Sequence, residues 1–186
     1  SMALFTWDPE FHAGRYPVLW EVDESGSIAT KSKSSQTITL TRSKEAVSGS
    51  FEVSVRSLTY AGSGGQVYYH TVGLAAPDYN YNSCGLRAPL ADGCLGFVMS
   101  TGELAGQFSR PFKVGDVVTF EVDQEAKRVL VTHRFAEVSA DQDSTTEKFV
   151  DWPAMPSELH LAVSMDEEGS SVQIEDIGVL TKAART

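Results

Sequence analysis

Within Pro111–Phe135 lie two runs, Val117-Val118-Thr119-Phe120-Glu121-Val122 and Val129-Leu130-Val131-Thr132-His133-Arg134-Phe135, separated by the polar stretch Asp123-Gln124-Glu125-Ala126-Lys127-Arg128. Aligning Val122 with Val129, Phe120 with Val131 and Val118 with His133 collects a mostly apolar set on one face, as a strand period of two requires. The other face then sets Glu121 against Leu130 and Thr119 against Thr132. A hairpin of that kind belongs in a half-buried antiparallel sheet, and it points to a folded module and not to a catalytic motif.

Similar segments recur along the chain: 19–22, 38–40, 51–55, 67–75, 95–99, 159–165 and 172–177. Phe51, Val53 and Val55 alternate with Glu52, Ser54 and Arg56, and Leu159, Leu161, Val163 and Met165 alternate with His160, Ala162 and Ser164. The 67–75 run is apolar or aromatic on both faces and is expected to be a central strand, whereas 30–41 is polar enough for an edge.

Gly62-Ser63-Gly64-Gly65, Ser100-Thr101-Gly102 and Glu167-Glu168-Gly169-Ser170 tolerate positive φ or form side-chain turns, and predict three further hairpins. No window of about a dozen residues keeps a helical period; Ser43–Ala46 and Pro156–Leu159 are each expected to make one helical turn at most. About ten short amphipathic strands are best closed as two stacked sheets, so the expected class is all-β, a two-sheet antiparallel β-sandwich.

A chain of 186 residues fits one such domain, and 41% hydrophobic residues with 22% charged ones supply a core. The expected boundaries are a cloning remnant or disordered start at 1–3, a single domain over 4–180, and a frayed tail at 181–186. Apolar runs are too short to span a bilayer. A net charge of −10 repels phosphate backbones and anionic membranes, so nucleic acid and membrane are poor partners. Cys84 and Cys94 are the two cysteines, fewer than a secreted domain of this type often carries; reduced thiols, a cytoplasmic location and a monomeric domain are the expectations.

Four histidines, His12, His70, His133 and His160, are scattered without a His-x-His or Cys-x-x-Cys spacing, so no metal and no cofactor is expected. Neither a Gly-x-Ser-x-Gly elbow nor a Gly-Lys phosphate loop occurs. Glu121-Val122-Asp123-Gln124-Glu125 approximates the Glu-x-Asp-x-Glu strand of laminarinase-like glycosidases, in which Glu121 would be nucleophile, Asp123 its electrostatic neighbour and Glu125 the acid/base. That chemistry requires carboxyl groups about 5–5.5 Å apart, whereas the sequence puts the last acid in a turn. The loop Pro77-Asp78-Tyr79-Asn80-Tyr81-Asn82-Ser83-Cys84-Gly85-Leu86-Arg87 is the best binding candidate: tyrosines offer contact area with few rotors, and Asp78, Asn82 and Arg87 add directional hydrogen bonds. The opposing reading is a long connection whose own tyrosines pack onto the sandwich. Trp152 flanks the same rim or caps the core, and Trp7 and Trp20 are read as structural.

Taken in order, several motifs resemble those of a SPRY (B30.2-like) domain: Phe5-Thr6-Trp7-Asp8-Pro9-Glu10 with Pro17-Val18-Leu19-Trp20-Glu21-Val22, then Gly49-Ser50-Phe51-Glu52-Val53-Ser54-Val55, Thr71-Val72-Gly73-Leu74-Ala75, the Pro111–Phe135 hairpin with Val114-Gly115-Asp116-Val117 at its start, and Leu159-His160-Leu161-Ala162-Val163-Ser164. The resemblance covers roughly residues 4 to 178, with Phe51 standing where the family pattern has tryptophan. It implies a concanavalin-type sandwich and a non-catalytic module that grips a protein or peptide through loops at one end, often within scaffold or ubiquitin-ligase architectures. A carbohydrate-binding lectin on the same scaffold is the third reading.

Overall fold

The computed structural model describes residues 4–11, 20–32, 39–59, 71–81, 86, 90–108, 110–165 and 168–178. The Asp123–Arg128 hairpin is the reference point: β10 (Val117–Asp123) and β11 (Arg128–Arg134) pair in the register read from the sequence, Val122 with Val129, Phe120 with Val131 and Val118 with His133. The buried side chains of β10 are Val118, Phe120 and Val122 on one face, with Val117 also buried, while Thr119, Glu121 and Asp123 are only partly covered. The turn closes with the Ala126 amide donating to Asp123 Oδ1 at 2.9 Å and Lys127 at φ 54°.

Among the described residues the strands form two antiparallel sheets. The first runs β1 (Trp20–Val22), β2 (Ile28–Lys31), β14 (Ser171–Gly178), β5 (Phe51–Thr59), β10, β11, β12 (Thr145–Asp151). The second runs β3 (Thr39–Arg42), β13 (Glu158–Met165), β6 (Thr71–Ala75), β7 (Cys94–Val98), β8 (Glu103–Leu104), β9 (Gln107–Phe108), with β4 (Val47–Ser48) also against β13. The fold is an all-β, two-sheet antiparallel sandwich, as the strand pattern requires. Phe51, Phe120, Trp7, Trp20, Trp152, Leu74, Leu95 and Leu161 meet between the layers, so all three tryptophans are core residues.

Some expectations needed correction. Ser43–Ala46 and Pro156–Leu159 contain no helical turn; the single described 3₁₀ turn is Leu90–Asp92. The Ser100–Gly102 turn does close the β7–β8 hairpin, but the 167–170 segment links strands of different sheets, so it is a crossover. Local turn chemistry is the same for both, because Gly169 at φ 85° reverses the chain without specifying its destination. The 141–147 stretch, polar throughout in sequence, gives its last residues to β12, an edge strand whose exposed positions are Glu147, Phe149 and Asp151. Of the two halves of 30–41, β3 is an edge strand and β2 is not. Gly62–Gly65 lies outside the described residues.

All five residues of β6 are buried because both of its faces are covered. The sandwich core covers one. The other carries a second, smaller core of Leu40, Ala75, Ala76, Cys94 and Ala162 under Tyr79, Tyr81 and Leu86. The segment after β6 folds down onto the outer face of its own sheet, and that placement defines the candidate site.

Candidate functional site

Tyr79 and Tyr81 are buried side by side, their ring centroids 5.1 Å apart. Tyr81 Oη donates to the Ala76 carbonyl at 3.1 Å, which ties the loop back to the end of β6. Burial pushes the Tyr81 phenol up from its ordinary value, and the Arg42 guanidinium pulls it part of the way back. Arg42 lies 5.1 Å from the Tyr81 ring centroid and 4.6 Å from that of Phe11, and donates to the Pro77 carbonyl at 3.2 Å. Cys94 Sγ donates to the Leu86 carbonyl at 3.4 Å from beneath.

This geometry divides the loop residues by role. The tyrosine rings are used for packing, because an amphipathic ring over an apolar sheet face is more stable buried with its hydroxyl bonded than exposed. Asp78 and Asn80 alternate with them and are exposed. The ledge at 77–81 therefore presents polar side chains on a base held by two aromatics and a guanidinium. Asn82, Cys84 and Arg87 lie outside the described residues.

Trp152 does not join that ledge. Its ring is in the core and its Nε1 donates to the Leu90 carbonyl at 2.8 Å, which pins the 3₁₀ turn to the end of β12. As a fully buried ring it supports the rim and offers no contact surface of its own. Next to it, between the outer edges of the two sheets, is a cavity of about 270 Å³ lined by Leu90, Leu104, Gln107, Lys148, Val150 and Asp151. Phe149 also lines it, 49% exposed, with the Arg128 guanidinium 3.8 Å over its ring. Only Val150 of β12 is buried, so the strand leaves little periodic apolar signal in the sequence.

The three acids of the glycosidase reading do not share one extended face. Glu121 and Asp123 belong to β10, but the strand ends at Asp123, whose carboxylate accepts the Ala126 amide, and Glu125 is exposed in the turn. Among the described residues no group of three His, Cys, Asp or Glu side chains could hold a metal ion. His12 and His70 lie outside the described residues. His160 is buried and its Nδ1–H donates to the Ser43 carbonyl at 2.8 Å; burial, then Arg42, lowers its pKa.

One polar pair escaped the sequence reading. His133 Nε2 donates to Asp116 Oδ2 at 2.8 Å, with both side chains buried at the end of the sandwich. Asp116 also accepts the Lys113 amide at 3.0 Å and the Ala136 amide at 2.9 Å, so one carboxylate joins the segment before β10 to the segment after β11. The Val118–His133 pairing placed the imidazole on the core face, but Asp116 precedes the alternating run, and no local pattern links it to His133.

Comparisons with protein-family models and with curated proteins found no match. Solved structures do match across almost the whole chain. The SPRY domain of human HERC1 has a TM-score of 0.66 at 16% identity, covering 92% of this chain and 98% of that one. The NEUZ (NHR) domain in Neuralized from Drosophila melanogaster has a TM-score of 0.57 at 12% identity, over 95% and 94%. Lectin II from Ulex europaeus has a TM-score of 0.52 at 13% identity, over 94% and 91%. The chain thus has a SPRY-like, concanavalin-type β-sandwich fold.

Proposed function

We propose that this SPRY-like sandwich is a non-catalytic module that binds a protein or peptide partner through loops held by the rigid sheets, within a larger scaffold or ubiquitin-ligase-type protein. One observation carries the reading: Asp78 and Asn80 are exposed on a ledge whose alternate residues, Tyr79 and Tyr81, are buried. A loop preorganised in that way loses little conformational entropy on binding, which is how rigid recognition loops gain affinity. Asn82 and Arg87 extend the same surface in sequence, and the partner is met by polar side chains and not by tyrosine faces. The −10 charge supports a protein partner over nucleic acid or anionic membrane. A buried Cys94 thiol bonded to a backbone carbonyl is compatible with a cytoplasmic, monomeric domain.

The test screens the immobilised domain against a peptide library and a glycan array, with the triple variant Asp78→Ala, Asn80→Ala, Arg87→Ala alongside. Selected peptides that bind the parent and are lost in the variant, with the melting temperature unchanged, are the expected result. Equal peptide capture by both proteins would refute the ledge, and glycan capture without peptide capture would favour the lectin reading.

A further inference from the structure

The buried histidine at the end of the sandwich has a use that partner binding leaves unexplained. Three aromatic rings enclose His133: Phe112 stacked at 4.3 Å and 13°, Phe135 edge-on at 4.6 Å and Phe97 edge-on at 5.6 Å. Its Nε2 donates to Asp116, and its Nδ1, fully buried, has no hydrogen-bond partner. The charged groups facing it are Asp116 and, across the Phe135 ring, Arg110, whose guanidinium carbon is 4.3 Å from that ring's centroid. From the strands on either side, β10 contributes Val118 and β12 contributes Thr146, neither of them charged.

Neutral imidazole suits this cage, because its one N–H meets a carboxylate and its lone pair faces hydrocarbon. A proton on Nδ1 would create a buried donor aimed at aromatic rings, and a buried donor without an acceptor is destabilising. The attraction to Asp116 opposes that cost, while the Arg110 charge adds to it. Burial is the largest influence on the imidazole and lowers its pKa; the Asp116 hydrogen bond recovers only part.

We propose that the Asp116–His133 contact is an acid-sensitive latch: neutral His133 holds the 111–116 and 135–138 segments together, and protonation of Nδ1 releases them. The segments to be freed are well defined. Asp116 bonds the Lys113 and Ala136 amides, and Gly115 is fastened to the Ser57 carbonyl at 2.7 Å. Val114 and Val138, two of the exposed large hydrophobics, ride on these same segments.

Amide hydrogen exchange on the full chain, expressed as protection factors at pH 7.5 and pH 5, tests the latch. Protection of Lys113 and Ala136 is expected to fall by at most about thirtyfold, the limit set by pH 5 lying about 1.5 units below the open imidazole's 6.5, while the amides of β10 and β11 stay better protected than these two at both pH values. His133→Gln, whose amide can still donate to Asp116, is expected to show the same protection at both pH values. Equal protection of Lys113 and Ala136 at the two pH values in the parent would overturn the latch, as would a fall that persists in His133→Gln. If that variant does not fold, the His133 ring titration followed by NMR in the parent must coincide with the Ala136 amide titration, and separate midpoints would overturn it.

Discussion

Leu86 and Gly96 are in contact at a point where no larger residue fits: a Cβ on Gly96 would stand 2.1 Å from the Leu86 carbonyl oxygen. The chain after β6 is seated that closely on β7, and the second small core depends on it. Gly96→Ala is expected to lift the segment and cost about 1–3 kcal/mol, as overpacking does. Urea unfolding followed by tyrosine fluorescence checks this, and an unchanged midpoint would show the segment is not pressed against the strand.

Stability should fall on acidification below neutrality. Both described histidines are buried with pKa values under the ordinary 6.5, burial being the largest cause in each. The unfolded chain binds protons at about 6.5 that the folded chain refuses, so stability is full above that pH. It declines as pH drops through 6.5 towards the folded values, by at most about 1.4 kcal/mol per pH unit for each histidine. Urea midpoints at pH 7.5, 6 and 5 read the slope; replacing His160 with Gln should remove part of it and leave the part due to His133.

Trp152→Phe keeps most of the ring but strands the Leu90 carbonyl, which now accepts the indole N–H at 2.8 Å. A loss of about 1–3 kcal/mol is expected, against about 3–5 kcal/mol for Trp152→Ala, where the cavity adds its own cost. Thermal unfolding separates the two, and equal losses would mean that the hydrogen bond contributes nothing.

Lys127 occupies the left-handed region at φ 54° in the β10–β11 turn. Lys127→Gly should relieve about 1 kcal/mol of steric strain and raise the melting temperature, provided the added freedom of the unfolded chain does not cancel it. A lower melting temperature would show that the lost Lys127 Nζ bond to Gln124 Oε1, 3.1 Å long, and the added chain freedom together outweigh the strain.

Glu121→Gln and Glu125→Gln are expected to leave peptide capture unaltered, and the parent protein should release no reducing sugar from a β-glucan. Sugar release abolished by both substitutions would restore the glycosidase reading, since it would require the two carboxyl groups to meet at a separation of about 5–5.5 Å.

The β10–β11 hairpin was legible residue by residue, because pleat alternation and a polar turn are local and β-pairing between adjacent strands adds little freedom. The same holds for β5 and β13, whose apolar side chains alternate cleanly, and for the all-β class that follows from many such segments. Strands with weak alternation were lost: β2, β4, β8 and β9 are two to four residues long, and β12 exposes Phe149 together with Glu147 and Asp151 and buries only Val150.

What no local pattern specifies is where a segment lands. The composition of Tyr79-Asn80-Tyr81 is equally suited to reaching outward and to packing inward; the apolar outer face of β6, exposed until the segment covers it, resolves the choice in favour of burial. Asp116 and His133 are separated by an entire hairpin, and their bond arises only when antiparallel pairing returns the chain to its starting level. Alternation along the backbone is a short-range steric property and is written in neighbouring residues, whereas the desolvation that assigns a side chain to core, rim or latch depends on atoms brought in from elsewhere in the chain.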